Sequence, residues 1–500
     1  MSSSDPPARA DLPRQSVRGG ALVLVAQAAN MVIGFGSVAV LGRLLTPDQF
    51  GLVAIATSLM VPVSALCDHG MPLALIQRKS PTLSETNAMF WLQCSLGLLA
   101  AVVGGALAYP LGAWLDRPEL FWILMALSAN LALAGLGATH LALIRRDLRF
   151  RTHAGIGVLA NLCAVFVGIL AAWFGLGYWS LVLMGVANNA FTTGAAWICS
   201  GWLPNAPQRV EGIRDMVRMG LFLNGTALVS SMTRVVDRVL IGLTLSDAAA
   251  GYYANAHRLI LQPSMQVNKP LTTVAVPVLS RLQHDECAFR KYYRRGAEVI
   301  VLALFPCFIV AFFGAEYIVP LVLGSQWDEA IPIFQALCPG ALMTCTRVLT
   351  GWIYVPLGRT DRQFRWRIFA SIVAVGSFVV GIQWGVYGLA VAYSIQSLAI
   401  RIPAVMYCIS GTFVRGSDVL SATARPVAAT VGGVVAGFLI LPHITMPDSS
   451  ILALIIVTST LGLVYLGTFA ATPGGITRLK SLRHTVGLLR KQPDETPSTA

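Results

Sequence analysis

LGRLLTPDQFGLVAIA, Leu41 to Ala56, has a counterpart in the same chain. Moved forward by 200 positions it overlies IGLTLSDAAAGYYANA, Ile241 to Ala256, so that Gly42, Leu45, Gly51, Ala54 and Ala56 fall on Gly242, Leu245, Gly251, Ala254 and Ala256. Thr46 stands opposite Ser246, and Leu59 opposite Leu259. Just upstream, Arg14, Val17, Arg18 and Gly20 overlie Arg214, Val217, Arg218 and Gly220. A second echo joins FVGILAAWFGLGYWSLV, from Phe166, to FVVGIQWGVYGLAVAY, from Phe378. Matches at charged and glycine positions are more than a small apolar alphabet produces by accident, so the chain reads as two related halves.

Each copy is an apolar run, a polar turn and another apolar run, and the whole chain repeats that theme. It is 55% hydrophobic and 12% charged, with a mean hydropathy of +0.68. Soluble domains carry about twice that share of charge. Runs of about 20 apolar residues suit a hydrocarbon core of about 30 Å. The fold class is therefore an all-α polytopic membrane protein. Its spans are predicted near 19–41, 50–66, 88–108, 120–139, 154–174, 178–198, 218–241, 250–277, 297–314, 330–354, 368–385, 389–410, 427–442 and 450–470. That gives about 14 transmembrane helices: two six-helix bundles, 19–200 and 218–410, plus two C-terminal helices over 427–470. The tail 1–18, the linker 201–217 and the basic tail 471–500 are expected in the cytoplasm. Six is even, so both bundles enter from one side and are related by a pseudo-twofold along the membrane normal.

The formal net charge of +13 has no soluble domain in which to hold nucleic acid. Topology accounts for it instead. With the amino terminus inside and no cleavable signal peptide in the polar first 18 residues, 28 of the 36 Lys and Arg fall in cytoplasmic segments. Only Arg43 and Arg117 fall outside. The nine cysteines are scattered and form neither a disulfide framework nor a CxxC metal spacing. Short outward segments leave no room for a catalytic carboxylate or metal cluster, and no Walker A loop is present, so no enzyme activity and no cofactor are expected.

Six basic residues remain inside the spans: Arg234, Arg238, Arg258, Lys269, Arg347 and Arg401. Each costs about 2.5 to 3.5 kcal/mol at a bilayer centre, so a protein or water-filled interior is the expected surrounding. In span eight, Asn255, Arg258, Gln262, Gln266, Lys269 and Thr273 recur at steps of three and four, a single stripe on a helix of 3.6 residues per turn. Pro263 and Pro270 each remove a backbone donor there and are expected to kink or loosen the helix. In span seven, Arg234, Asp237 and Arg238 share a face below Asn224, Ser230 and Ser231. Asp237 is the one clear acidic companion, so the interior keeps a positive field suited to an anionic ligand. Simpler roles stay open: Arg234 and Asp237 can neutralise each other at i,i+3, and Arg238 and Lys269 can reach the helix ends. His257 lies off the stripe and reads as a packing residue.

With the first copy, DHGMPLALIQR (Asp68 to Arg78), LIRRDLRF (Leu143 to Phe150) and FGLGYWSLV (Phe174 to Val182) complete a set that resembles bacterial polysaccharide flippases of the Wzx type. These belong to the multidrug/oligosaccharidyl-lipid/polysaccharide exporter superfamily. DRVLIGLTLSDAAAGYYANAHRLILQPSMQV, from Asp237, is similar to helices seven and eight of that superfamily, where an arginine placed like Arg258 is implicated in holding a lipid pyrophosphate. No charge stands between Arg18 and Arg43, where the peptidoglycan-precursor flippases carry further arginines, so the resemblance favours a different glycan.

The resemblance implies export of an undecaprenyl-pyrophosphate-linked oligosaccharide across the bacterial inner membrane for exopolysaccharide or lipopolysaccharide assembly, by alternating access through a cationic central cavity. Both termini would be cytoplasmic. Arg234, Arg238, Arg258, Lys269, Arg347 and Arg401 would hold pyrophosphate, and Asn255, Gln262 and Gln266 would bind sugar hydroxyls. Asp237 would serve a coupling H+ or Na+, and glycan polymerase and export machinery would be membrane partners. Two rival functions predict other features. A multidrug-type exporter of cations needs acidic or aromatic residues inside the first half, and a glycan polymerase or ligase needs a long outward catalytic loop.

Overall fold

The computed structural model describes residues 12–65, 82–147, 149–206 and 235–478, without the side chains of residues 12–24 and 270. Every regular element among them is helical, in the order α1 (Leu12–Leu44), α2 (Pro47–Ser64), α3 (Leu83–Trp114), α4 (Pro118–Arg146), α5 (Phe150–Trp173), α6 (Trp179–Ser200), α7 (Val236–Thr244), α8 (Asp247–Arg281) and α9 (Glu286–Phe313). Then come α10 (Ala315–Leu323), α11 (Ala330–Cys345), α12 (Arg347–Tyr354), α13 (Thr360–Gly381), α14 (Gly385–Ala399), α15 (Arg401–Ile409), α16 (Gly416–Ile440) and α17 (Ser450–Ala471). The chain is an all-α integral membrane protein. Among the described residues, nine helical stretches are long and apolar enough to cross a membrane. Side chains such as Leu98, Val102, Phe166, Trp173 and Leu463 stay exposed, a surface that lipid and not water tolerates.

Local chemistry starts these helices where the sequence changes character. At α3, Thr82 and Glu85 form a capping box: the Thr82 hydroxyl accepts from the Glu85 N–H at 3.1 Å, and the Glu85 carboxylate accepts from the Thr82 N–H at 2.9 Å. Asp285 caps α9 by accepting from the Ala288 N–H. Asp418 sets α16 going by accepting from the Arg415 N–H at 2.9 Å, and Arg290 of α9 grips the same carboxylate through Nε at 2.6 Å and Nη2 at 3.0 Å. That anchor is why α16 begins well before the apolar run expected over 427–442.

Two expected spans are interrupted. The run 330–354 divides at Thr346 into α11 and α12, and 389–410 divides at Ile400 into α14 and α15. Around the first break, Thr346 and Thr350 turn their hydroxyls back onto the Met343 and Arg347 carbonyls, a local bond that competes with helical geometry. Past the second, Pro403 has no N–H for the Ala399 carbonyl. By contrast, α8 runs on as one α-helix through Pro263 and Pro270.

The chain divides into two compact units. Unit 1 comprises Met1–Gln266, Val319–Ile333 and Ser371–Tyr393; unit 2 comprises Val267–Ile318, Phe334–Ala370 and Ser394–Ala500. In unit 1, α3 packs on α4, α5 on α6, α4 on α6 and α1 on α5. In unit 2, α16 packs between α9 and α17.

The duplicated turn has a definite place in unit 1. A Cβ added to Gly51 would lie 1.6 Å from the Asp247 carbonyl oxygen, and one added to Gly251 would lie 2.1 Å from the Pro47 carbonyl oxygen. Each glycine also approaches the other's backbone nitrogen. The starts of α2 and α8 therefore cross backbone to backbone, each copy meeting its 200-residue mate, and neither position has room for a side chain.

Candidate functional site

In unit 1, α2, α7 and α8 bring polar groups together inside a membrane protein. Asp237, buried in the first turn of α7, accepts from the Tyr253 hydroxyl at 3.1 Å and from the Arg238 N–H at 2.9 Å. Tyr253 is fully buried and stacks on His257 with ring centres 5.8 Å apart, and His257 meets the edge of Tyr393 at the same separation. His257 is thus a packing residue between two tyrosines. Arg238 reaches Ser58 of α2, with Nη1 to Oγ at 3.5 Å, while its buried Nε has no hydrogen-bond partner among the described residues. Arg258, half-buried one helix away, is close enough to Arg238 for the two charges to repel.

Among the described residues the Arg258 side chain has neither an ion pair nor a hydrogen bond. Two guanidinium groups and a single carboxylate, itself held by a tyrosine, leave this corner with positive charge and unused donors. Such groups persist inside a membrane protein where they face water or a ligand, which makes them the strongest functional candidates in the chain.

The stripe on α8 changes character along its length. Asn255 is sealed, 3% exposed, and its amide donates back to the Gly251 carbonyl at 3.3 Å. Arg258 and Gln266 are half-buried, whereas Gln262, Lys269 and Thr273 are exposed. Among the described residues, the buried Gln266 Oε1 accepts no hydrogen bond. This polar face also keeps α8 out of the set of helices apolar enough to cross a membrane by composition.

A second cationic pair lies in unit 2. Arg401, the first residue of α15, donates from Nη2 to the Thr346 carbonyl at 2.8 Å, at the break between α11 and α12. Arg347 is exposed beside it, near enough for repulsion. Ser394 joins the same two helix pairs higher up: its hydroxyl accepts from the Gly340 N–H at 2.9 Å and donates to the Ala336 carbonyl. Arg234 lies outside the described residues, as do Asn224, Ser230, Ser231, Cys67, the motif over 68–78 and Arg209, Arg214 and Arg218.

Both arginines that depart from the positive-inside pattern cap helix ends in unit 1. Arg43 donates from Nη2 to the Leu321 carbonyl at 2.7 Å, in the last turn of α10. Arg117 donates to the Gly242 and Leu245 carbonyls at the end of α7, at 2.6 and 3.2 Å, and pairs through Nε with Asp247 at 2.7 Å. Cations belong at helix C-termini, where unsatisfied carbonyls gather. Burial raises the Asp247 carboxyl above the ordinary aspartate value, by more than Arg117 lowers it.

Sequence reasoning found Asp237, Arg238 and Arg258 but missed Ser58, Tyr253 and Tyr393. Tyrosines in apolar runs read as core, and only their hydroxyls or ring contacts mark them otherwise. Ser58 approaches Arg238 from a helix 180 residues away in sequence, a distance no local pattern spans.

Apolar helices of this number, with charged groups retained inside them, define a polytopic membrane protein. Residues 40–332 match the model of the polysaccharide biosynthesis protein family, and the chain belongs to that family. It is 24% identical over 364 residues to the lipopolysaccharide biosynthesis protein WzxC of Escherichia coli (strain K12), covering 71% of this chain and 73% of that one. The succinoglycan biosynthesis transport protein ExoT of Rhizobium meliloti (strain 1021) is 23% identical over 350 residues, 69% of this chain and 70% of its own. In fold the chain is similar to the lipid II flippase MurJ in an inward closed conformation, with a TM-score of 0.70 at 15% identity, covering 90% of this chain and 98% of that one.

Proposed function

We propose that the protein is a flippase that moves an undecaprenyl-pyrophosphate-linked oligosaccharide from the inner to the outer leaflet of the bacterial inner membrane, for exopolysaccharide or lipopolysaccharide assembly. The observation that carries the reading is the pair Arg238 and Arg258: an orphaned donor and an unpartnered guanidinium, both inside the fold, with Asp237 already engaged by Tyr253. A pyrophosphate offers the charge and the acceptor oxygens these groups lack, and arginine binds such oxygens two at a time. The names of WzxC and ExoT, a lipopolysaccharide biosynthesis protein and a succinoglycan transport protein, point to the same class of cargo.

In this reading the isoprenoid tail stays in the bilayer, and Gln262 and Gln266 bind sugar hydroxyls on the open part of α8. Exposure of the site alternates between the two membrane faces. Lys269, Arg347, Arg401 and Asn255 belong to the same proposal, and Arg234 joins it from sequence alone. Asp237 is the group proposed to couple transport to H+ or Na+. Both termini lie in the cytoplasm in this reading, which the distribution of basic residues supports. Glycan polymerase and export machinery act on the delivered unit. The cationic interior argues against cationic drugs as cargo.

Deleting the gene in its host should leave a lipid-linked saccharide accumulating on the inner leaflet. Arg258→Ala, inserted and folded at wild-type level, should reproduce that accumulation. Normal export by the folded variant would overturn the assignment of Arg258.

A further inference from the structure

At one end of unit 2, the segments joining α8 to α9, α12 to α13 and α15 to α16 line an open cleft of about 600 Å³, bordered by Glu286, Leu357, Arg359, Gly411, Thr412, Phe413 and Arg415. That volume lies in the range of small-ligand sites. None of these residues takes part in the cationic pairs described above.

The cavity sorts its polar groups by kind. Arg359 is clamped to the end of α15: its Nη1 donates to the Ser410 carbonyl at 2.8 Å and its Nη2 to the Gly411 carbonyl. Arg362 adds a second donor on the Ser410 carbonyl at 2.6 Å, and among the described residues the Arg359 Nε has no hydrogen-bond partner and can still donate. Arg415 is exposed, and among the described residues neither arginine is ion-paired. Acceptors complete the set. Glu286 carries a carboxylate, and Thr412 has already committed its hydroxyl proton to the Ile409 carbonyl at 2.7 Å, leaving only lone pairs to offer. Leu357 and Phe413, the latter held edge-on by Phe289 at 5.2 Å, supply an apolar wall.

The depth of the cavity is marked by aromatic residues. Trp366 and Tyr407 stack with ring centres 5.3 Å apart, and Arg362 lies over the Tyr407 ring at 4.5 Å. Below them Ile368, Ile372, Ile402 and Met406 are exposed apolar residues. Aromatic and arginine side chains in that order mark the boundary between hydrocarbon and headgroups. Ser410 and Gly411 follow Tyr407 by less than a turn and a half of chain, so the cavity sits in the headgroup layer. With the orientation of the proposed function, on which this inference rests, that layer is the inner leaflet.

The geometry points to a resident-lipid site for a phosphoethanolamine headgroup, with Arg359 and Arg415 on the phosphate and Glu286 and Thr412 on the ammonium. A choline headgroup has no N–H to give Glu286 or Thr412, and a glycerol headgroup has no cation for Glu286. The site would therefore prefer phosphatidylethanolamine over phosphatidylcholine and phosphatidylglycerol.

The test is native mass spectrometry of the purified full chain in detergent with each of the three lipids, and with free O-phosphoethanolamine as competitor. Phosphatidylethanolamine should be retained several-fold over the other two, and free phosphoethanolamine at equal concentration should not displace it. Arg415→Ala should lower its retention about tenfold, the loss of one charge-assisted contact. Glu286→Gln should erase the preference over phosphatidylglycerol. A wild-type preference for phosphatidylglycerol, displacement by the free compound, or unchanged selectivity in both variants would overturn the inference. Arg258→Ala separates the two readings: it should abolish export while leaving lipid retention at the wild-type level. Labelling of the Thr412→Cys variant by an impermeant reagent from outside the cell would overturn the orientation, and with it the inner-leaflet placement of this site.

Discussion

Two pairs of arginines sit inside this membrane protein, and their surroundings differ in one respect. In unit 2, Arg401 is tied to the Thr346 carbonyl, so its charge closes a gap in the protein's own backbone. In unit 1, Arg258 has no partner among the described residues and the Nε of its neighbour Arg238 is orphaned. A half-buried cation that repairs a broken helix already serves the scaffold, whatever else it binds; one with its donors idle has only a ligand or water to satisfy it. The residue type is the same and Arg258 and Arg401 are both half-buried, so the partner list is what separates the two.

Three substitutions test that distinction. The largest effect is expected from Arg401→Ala, which frees the Thr346 carbonyl and should cost about 1–3 kcal/mol of stability, read as a lower melting temperature in detergent. Arg258→Ala should leave melting within error of wild type. If the two variants melted alike, the contrast between the pairs would be broken. A smaller effect is expected from Asp237→Asn, whose amide oxygen can still accept from Tyr253: folding should persist while export loses its dependence on the ion gradient. Gradient-dependent export by this variant would remove Asp237 from the coupling role.

The smallest effect concerns Asp247. Burial raises its carboxyl in the folded chain above the unfolded value, so its contribution to stability is present at low pH and lost as pH rises through the folded value. Melting measured from pH 4 to 7 should fall slightly with rising pH in the wild type, and less in Asp247→Asn. Equal slopes in the two would show that the group does not govern that range.

Much of the architecture was legible from hydropathy because a bilayer forces the backbone into helices and the side chains into apolar runs. The boundaries of α5, α6 and α17 fall close to their expected positions for that reason. The breaks at Thr346 and Ile400 were not legible. They depend on hydroxyl-to-carbonyl bonds, and on a guanidinium donating from 55 residues away. Nor did counting charges explain Arg43 and Arg117, which are exceptions in topology but ordinary caps in structure. The stripe on α8 was visible as a period in the sequence. Its division into a sealed end at Asn255 and an open stretch from Gln262 was not, because burial depends on what the neighbouring helices cover.

The encounter of Gly51 with Gly251 reaches beyond packing. A residue that touches its own equivalent across an axis is the signature of an isologous dimer, in which two identical surfaces face one another. Here both surfaces belong to one polypeptide, so the symmetry of a two-chain assembly is built into a single gene product. Change at that point is constrained twice over, since a methyl group acquired by either copy collides with the other.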